Sequence, residues 1–168
     1  MWYVDSIGLV KTPRGVTLSG VQHPRNIFTL WSKADLAAIG IKPASITAVD
    51  QRYKNTGELT WDTSGAEAVG TYGTTDKVAA DLKSSMTESV QSQAASFLSG
   101  SDWYTIREAD GGTACPADWK TYRAAVRTES NSKVTAVAAL ADLDAIKAFD
   151  AATPITAGWP NDPDYVAP

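Results

Sequence analysis

The residues able to carry chemistry are few and poorly grouped. The chain of 168 residues holds one histidine and one cysteine. His23 stands between Gln22 and Pro24 in a turn-forming stretch, and Cys115 directly precedes Pro116. Two such ligands do not close a zinc site, and no base is spaced to activate the thiol. Cys115 is expected to be a small buried filler at a helix start. Glu108 with Asp110, and Asp142 with Asp144, are carboxylates two apart, and residues at that spacing do not face one another on a helix. Gly65, Gly70 and Gly73 lack the lysine and the strand-to-helix setting of a phosphate loop. The patterns point to no catalytic residue, no metal and no cofactor, and what remains is recognition chemistry. Arg123 and Arg127 lie four apart beside an apolar stripe, where guanidinium groups can pair with a partner's carboxylates or chain-end carbonyls. The competing use of these arginines is an internal pair with Glu108 or Asp118. Trp159 and Tyr165 sit in a proline-rich tail, either strapped across the helices or offered to a partner as an aromatic peptide.

The elements that must position these residues read as α+β. A small N-terminal module, residues 1–75, carries short strands and one short helix. A helical module, 76–153, has a long helix followed by a C-terminal helical hairpin, and 154–168 form an extended Pro-rich tail. Strand candidates are Trp2 to Val4, Ile7 to Val10, Val16 to Leu18, Ser45 to Tyr53, and Leu59 to Trp61. Residues 62–75, rich in Gly, Thr and Ser, read as a loop with at most one short strand near Val69 to Tyr72. The strongest local signal is WSKADLAAIG. Ser32 caps a helix, Asp35 stands three residues on for the reciprocal bond, Trp31 can staple to Leu36, and Gly40 supplies the left-handed stop.

From Asp76 the pattern turns helical. Val78, Leu82, Met86, Val90, Ala94 and Phe97 or Leu98 recur at helical spacing, predicting a helix of about 22 residues capped by Thr75. Its narrow seam asks for another helix, in the same chain or through self-association of helix 76–98 in a second copy. The hairpin follows, as segments Asp102 to Ala109 and Ala117 to Glu129 separated by Gly111-Gly112, with Pro116 at a first-turn position. Trp103, Trp119, Tyr122 and Val126 are expected to be its packing material, with Ile106 beside Trp103. Asn131 and Ser132 are placed to interrupt the helical run before another apolar stripe from Val134 to Phe149.

Composition limits the classes of partner. Hydrophobic residues make up 43% and charged residues 20%, which suits a globular chain with a real core. A formal charge of -4 with dispersed basic residues argues against nucleic acid. The absence of an 18-residue apolar run argues against a membrane span, and the N-terminus lacks a signal-peptide pattern. The single cysteine excludes an intrachain disulfide.

The run DWYTIREADGGTACPADWKTYRAAVR resembles the tail-fibre-assembly or tail-assembly-chaperone-like proteins of tailed bacteriophages. The residues that carry the resemblance are Asp102, Trp103, Arg107, Glu108, Gly112, Pro116, Tyr122, Arg123 and Arg127, with Trp159-Pro160 as a Trp-Pro tail. The opening GVQHPRNIFTLWSKADLAAIGI is similar to the first module of many such proteins. The resemblance covers residues 20–41 and 101–128. It implies a non-enzymatic protein that binds the distal part of a tail fibre, or another tail structural protein, and assists its folding or assembly in the host cytoplasm. The helical segment between Arg127 and Trp159 is longer than the usual form of that group. This departure leaves room for a permanent component of the virion tail, such as a fibre cap or baseplate protein.

Overall fold

The computed structural model describes residues 1–164, so Tyr165 lies outside the described residues. The fold is mixed α+β, with strands and short helices in the N-terminal region and several helices in the C-terminal region. The chain divides into two compact units, the first ending at Asp76 and the second beginning at Lys77.

The first unit is built on a five-stranded sheet. Its strands are β1 (Trp2–Val4), β2 (Gly8–Val10), β5 (Ile41–Ile46), β6 (Lys54–Asp62) and β7 (Ala68–Asp76), in the order β2-β1-β5-β7-β6. A separate ribbon pairs β3 (Val16–Leu18) with β4 (Val21–His23), and two short helices follow, α1 (Ile27–Leu30) and α2 (Lys33–Ala38). Each three-residue strand is too short to stand alone. They are held by a core of Val4, Val10, Val16, Leu18, Ile27, Phe28, Leu36 and Ile41, with Trp2 and Ile39 packed against it. The N-cap of α2 forms as the sequence indicates, with Asp35 N donating to Ser32 Oγ at 3.2 Å, but the Asp35 carboxylate takes the Ser32 hydroxyl at 2.6 Å in place of the reciprocal backbone bond. Gly40 ends the turn at φ +78°, a left-handed value that a side chain resists.

Two strand expectations change. The strand placed at Ser45 to Tyr53 is Ile41–Ile46, and it contains Pro43. The proline is tolerated because it stands at a handover. Residues 41–43 pair antiparallel with β1, while Ala44 to Ile46 pair parallel with β7, so the missing N–H falls between two ladders. Beyond the strand, Asp50 folds the chain on itself, accepting from Arg52 N at 3.0 Å and pairing with the Arg52 guanidinium at 2.8 Å. The expected loop at 62–75 is mostly the nine-residue strand β7, paired with β6 in two stretches on either side of a register shift between Thr56 and Leu59. Gly70 makes this ribbon possible beside β5. A Cβ there would come within 3.0 Å of the Trp61 ring and 3.2 Å of Ile46, and the open space lets Trp61 lie across the strand. Trp61 meets Tyr3 at 5.0 Å between ring centres. At the hairpin tip, Lys42 Nζ donates to the carbonyls of Thr63 and Gly65, closing backbone groups that the turn leaves open.

The second unit is helical: α3 (Ala79–Ser99), α4 (Asp102–Ala109), α5 (Ala117–Ala139) and α6 (Leu143–Ala152). The cap of α3 is Val78, because Thr75 belongs to β7. Helix α5 does not stop near Glu129. It runs 23 residues through Asn131-Ser132, about 34 Å at 1.5 Å per residue. Both residues are exposed, so neither polar side chain meets a buried backbone that it would have to break. Lys83 Nζ closes the end of α5, donating to Ala138 O and Leu140 O, each at 2.8 Å. Asp142 then caps α6 by accepting from Ala145 N at 2.9 Å. The carboxy-terminal part of the α3 seam is covered within the chain, where Ala94 joins Tyr122 and Val126 in one cluster with Leu98, Trp119 and Trp159 around it, while Val78 at its start is 61% exposed.

Candidate partner-binding site

Helix α4 buries none of its residues, yet it is held at both ends. The first brace is Arg123, whose side chain is only 7% exposed. Its Nη1 donates to Leu98 O at 2.9 Å and to Ser101 Oγ at 2.7 Å, and its Nη2 donates to Asp102 Oδ1 at 2.8 Å. One guanidinium therefore satisfies the carboxyl end of α3 and ties it to the first residue of α4. Its partner is Asp102, not the expected Glu108 or Asp118, because Asp102 follows directly on the helix end that the arginine caps. Arg123 Nε is buried with no partner among the described residues.

The second brace joins the far end of α4 to the start of α5. Glu108 Oε1 accepts from Lys120 Nζ at 2.6 Å, and Oε2 accepts from Cys115 N at 3.4 Å. The Lys120 bond is the main reason the Glu108 carboxyl titrates below its usual value, and the same bond raises Lys120. Arg107 Nε donates to Thr113 O at 3.1 Å, fastening the intervening loop. Both glycines in that loop are required. Gly111 sits at φ +81°, and a Cβ on Gly112 would fall 2.9 Å from the Arg107 carbonyl oxygen. Cys115 is 4% exposed and occupies the place of a small apolar filler.

On this braced segment the aromatic rings run from inside to outside. Tyr122 is buried and meets Trp119 edge-on at 5.5 Å; Trp119 lies 5.6 Å from Tyr104, and Tyr104 stacks on Trp103 at 3.9 Å. The Arg107 guanidinium stands 4.7 Å from the Trp103 ring centre. Trp103 is nevertheless 50% exposed, and Ile106, three residues on, is 61% exposed. These two were expected to pack inward. The helix docks through Tyr104 instead, which turns Trp103 and Ile106 to solvent.

The other candidates separate. Arg127 is exposed, and among the described residues no hydrogen bond or ion pair reaches it. Trp159 is half-buried: its Nε1 donates to Gln93 Oε1 at 3.0 Å and to Ile155 O at 3.2 Å, and its ring lies 5.2 Å from Phe97. Lys133, buried on α5, donates to Ala157 O at 2.6 Å and pairs with Glu129 at 3.1 Å. The described part of the tail is thus a strap. Gln93 and Lys133 escaped notice in the sequence because polar residues in a helix are normally assigned to its wet face. His23 ends β4 and meets Trp31 at a steep angle, with 5.8 Å between ring centres. Among the described residues, no group of three or more His, Cys, Asp or Glu is arranged to hold a metal ion, and no helix is long and apolar enough to cross a membrane. Compared with protein-family models, with curated proteins and with solved structures, the chain matches none.

Proposed function

We propose that the chain is a non-enzymatic bacteriophage tail protein that binds the distal part of a tail fibre, or a similar tail component, and assists its folding or assembly in the host cytoplasm. One observation carries the proposal: α4 is braced at both ends and still leaves Trp103 and Ile106 half exposed or more. An aromatic anchor on a segment already ordered loses little entropy on binding, and tryptophan with arginine is the side-chain chemistry of interface hot spots. The residues behind the family resemblance support it as a group. Asp102 and Arg123 form one brace, Glu108 belongs to the other, Gly112 admits the Arg107 carbonyl, and Tyr122 and Trp159 pack beneath. Arg127 is the free basic group on the same helix that can pair with a partner's carboxylate.

The test is co-expression with the distal domain of a tail fibre from the same phage, followed by pull-down. W103A/I106S should abolish capture while lowering the urea midpoint only modestly, since Trp103 gives up its Tyr104 stack and Arg107 contact, and R127A should weaken capture with the midpoint unchanged. Full capture by the double variant refutes the proposal. A second reading, retention in the virion tail as a fibre cap or baseplate protein, is favoured by α5 beyond Arg127 and by α6, which lengthen the helical part. Mass spectrometry of purified particles separates the two readings. Presence of the chain at fibre stoichiometry supports retention, and absence supports a transient helper.

A further inference from the structure

The first unit carries a shallow, open cavity on its surface that the reading above does not use. Leu30, Trp31, Asp35 and Ala38 line a space of about 440 Å³ where α1 meets α2. Asp35 and Ala38 are three residues apart and share one face of α2, while Trp31, in the extended link before the helix, and Leu30, at the end of α1, supply the other walls. Leu30 is 74% exposed and Trp31 41%, although Leu36 on the opposite face is fully buried. The apolar walls are therefore presented outward. At their edge stands one carboxylate. Asp35 Oδ2 takes the Ser32 hydroxyl at 2.6 Å, and among the described residues no lysine, arginine or histidine forms an ion pair with Asp35.

We propose that this cavity is a socket for one basic side chain, lysine or arginine, presented by a partner protein. Three features select that occupant. The walls of Leu30, Trp31 and Ala38 suit the methylene stem of a long side chain, which is itself apolar. The indole attracts a cation placed over it, and the Asp35 carboxylate supplies the counter-charge for a charge-assisted hydrogen bond. A purely apolar occupant would cover that carboxylate without a counter-charge, at a cost that its own contacts would have to exceed. An acidic segment or a phosphate would meet it as a like charge, and the chain's formal charge of -4 works in the same direction. The inference does not depend on the partner being a tail fibre.

The test uses the full chain, labelled with nitrogen-15 and titrated with N-acetyl-arginine amide or N-acetyl-norleucine amide, which share a stem and differ in the cation. The arginine probe should shift the Trp31 indole and the Leu30 to Ala38 amides in a saturable, millimolar-range titration, and norleucine should bind several-fold more weakly. D35N keeps an acceptor for Ser32 and should weaken the arginine probe several-fold while leaving norleucine unchanged. W31A should abolish both responses, with the remaining amide spectrum intact. Equal binding of the two probes, indifference of the arginine probe to D35N, or shifts no larger here than elsewhere would each overturn the proposal. Movement of the same amides on simple dilution would assign the socket to a second copy and overturn the choice of a different protein.

Discussion

Replacing Arg123 with alanine removes three charge-assisted hydrogen bonds, to Leu98 O, Ser101 Oγ and Asp102 Oδ1. The groups left behind set the magnitude. Ser101 is fully buried but keeps its own bond to Leu98 O at 2.9 Å, so its hydroxyl is not orphaned. Asp102 is 50% exposed and regains water, so its share falls toward the sub-kilocalorie value of a surface pair. Breaking a fully buried pair costs about 3–5 kcal/mol. With one partner half in water, and with Nε already unsatisfied in the wild type, the expected loss is about 2–3 kcal/mol. Urea unfolding followed by circular dichroism at 222 nm, fitted with a shared m-value, measures it. D102N, which keeps an acceptor, should lose less than about 1 kcal/mol. R123K should recover only part of the loss, because one ammonium does not reproduce the two-armed geometry. A wild-type midpoint in R123A would refute the brace, and unchanged stability with lost partner capture would return Arg123 to the surface role.

W119A should cost about 2–3 kcal/mol in the same assay, below the 3–5 kcal/mol of a fully buried aromatic, because Trp119 is only half-buried; a loss above that range would mean the ring is more enclosed. W159A should free the strap, so limited proteolysis should cut between 154 and 164 faster than in wild type while the helices stay intact; an unchanged cleavage rate would dissociate Trp159 from strap docking. Glu108 titrates below its usual 4.5, so its contribution is complete above that value and is lost as pH falls through the depressed one. The stability gap between wild type and E108Q should therefore hold at neutral pH and close below pH 4.5; a gap that widened on acidification would reverse the assigned sign. G112A should destabilise by about 1–3 kcal/mol, since its Cβ meets a backbone oxygen at 2.9 Å rather than a movable side-chain end; a neutral result would mean the loop relaxes freely.

Local signals transferred well from sequence to structure where the energy is local. The N-cap at Ser32 and the stop at Gly40 depend on neighbours within eight residues, and both take their expected form. The ribbon of β6 and β7 was illegible for the opposite reason. Its cohesion lies in backbone pairing and in one Trp61-over-Gly70 contact, so Gly and Thr at its positions read as loop. Pro43 suppressed the β5 signal because its tolerance depends on a change of partner strand that no local pattern records. Arg123 is the instructive case in the site. It is four residues from Trp119 and three from Val126, so helical spacing alone places it on the buried stripe. Its charge suggested a wet face, and only the adjacent end of α3 accounts for its burial. Trp103 erred the other way, an aromatic assumed to be packing material that the fold leaves half in water.

The split allegiance of β5 has a consequence for synthesis. Its first half finds β1 among residues already made, but Ala44 to Ile46 wait for Ala68 to Gly70. At about 5–20 residues per second, that interval lasts on the order of one to five seconds, far longer than a hairpin takes to close. Throughout it the nascent chain displays an unpaired strand edge, the kind of surface that recruits holdases or a neighbouring chain on the same polysome. The time this edge stays open is therefore set by the translation speed across residues 47–70, and slow codons there would prolong it.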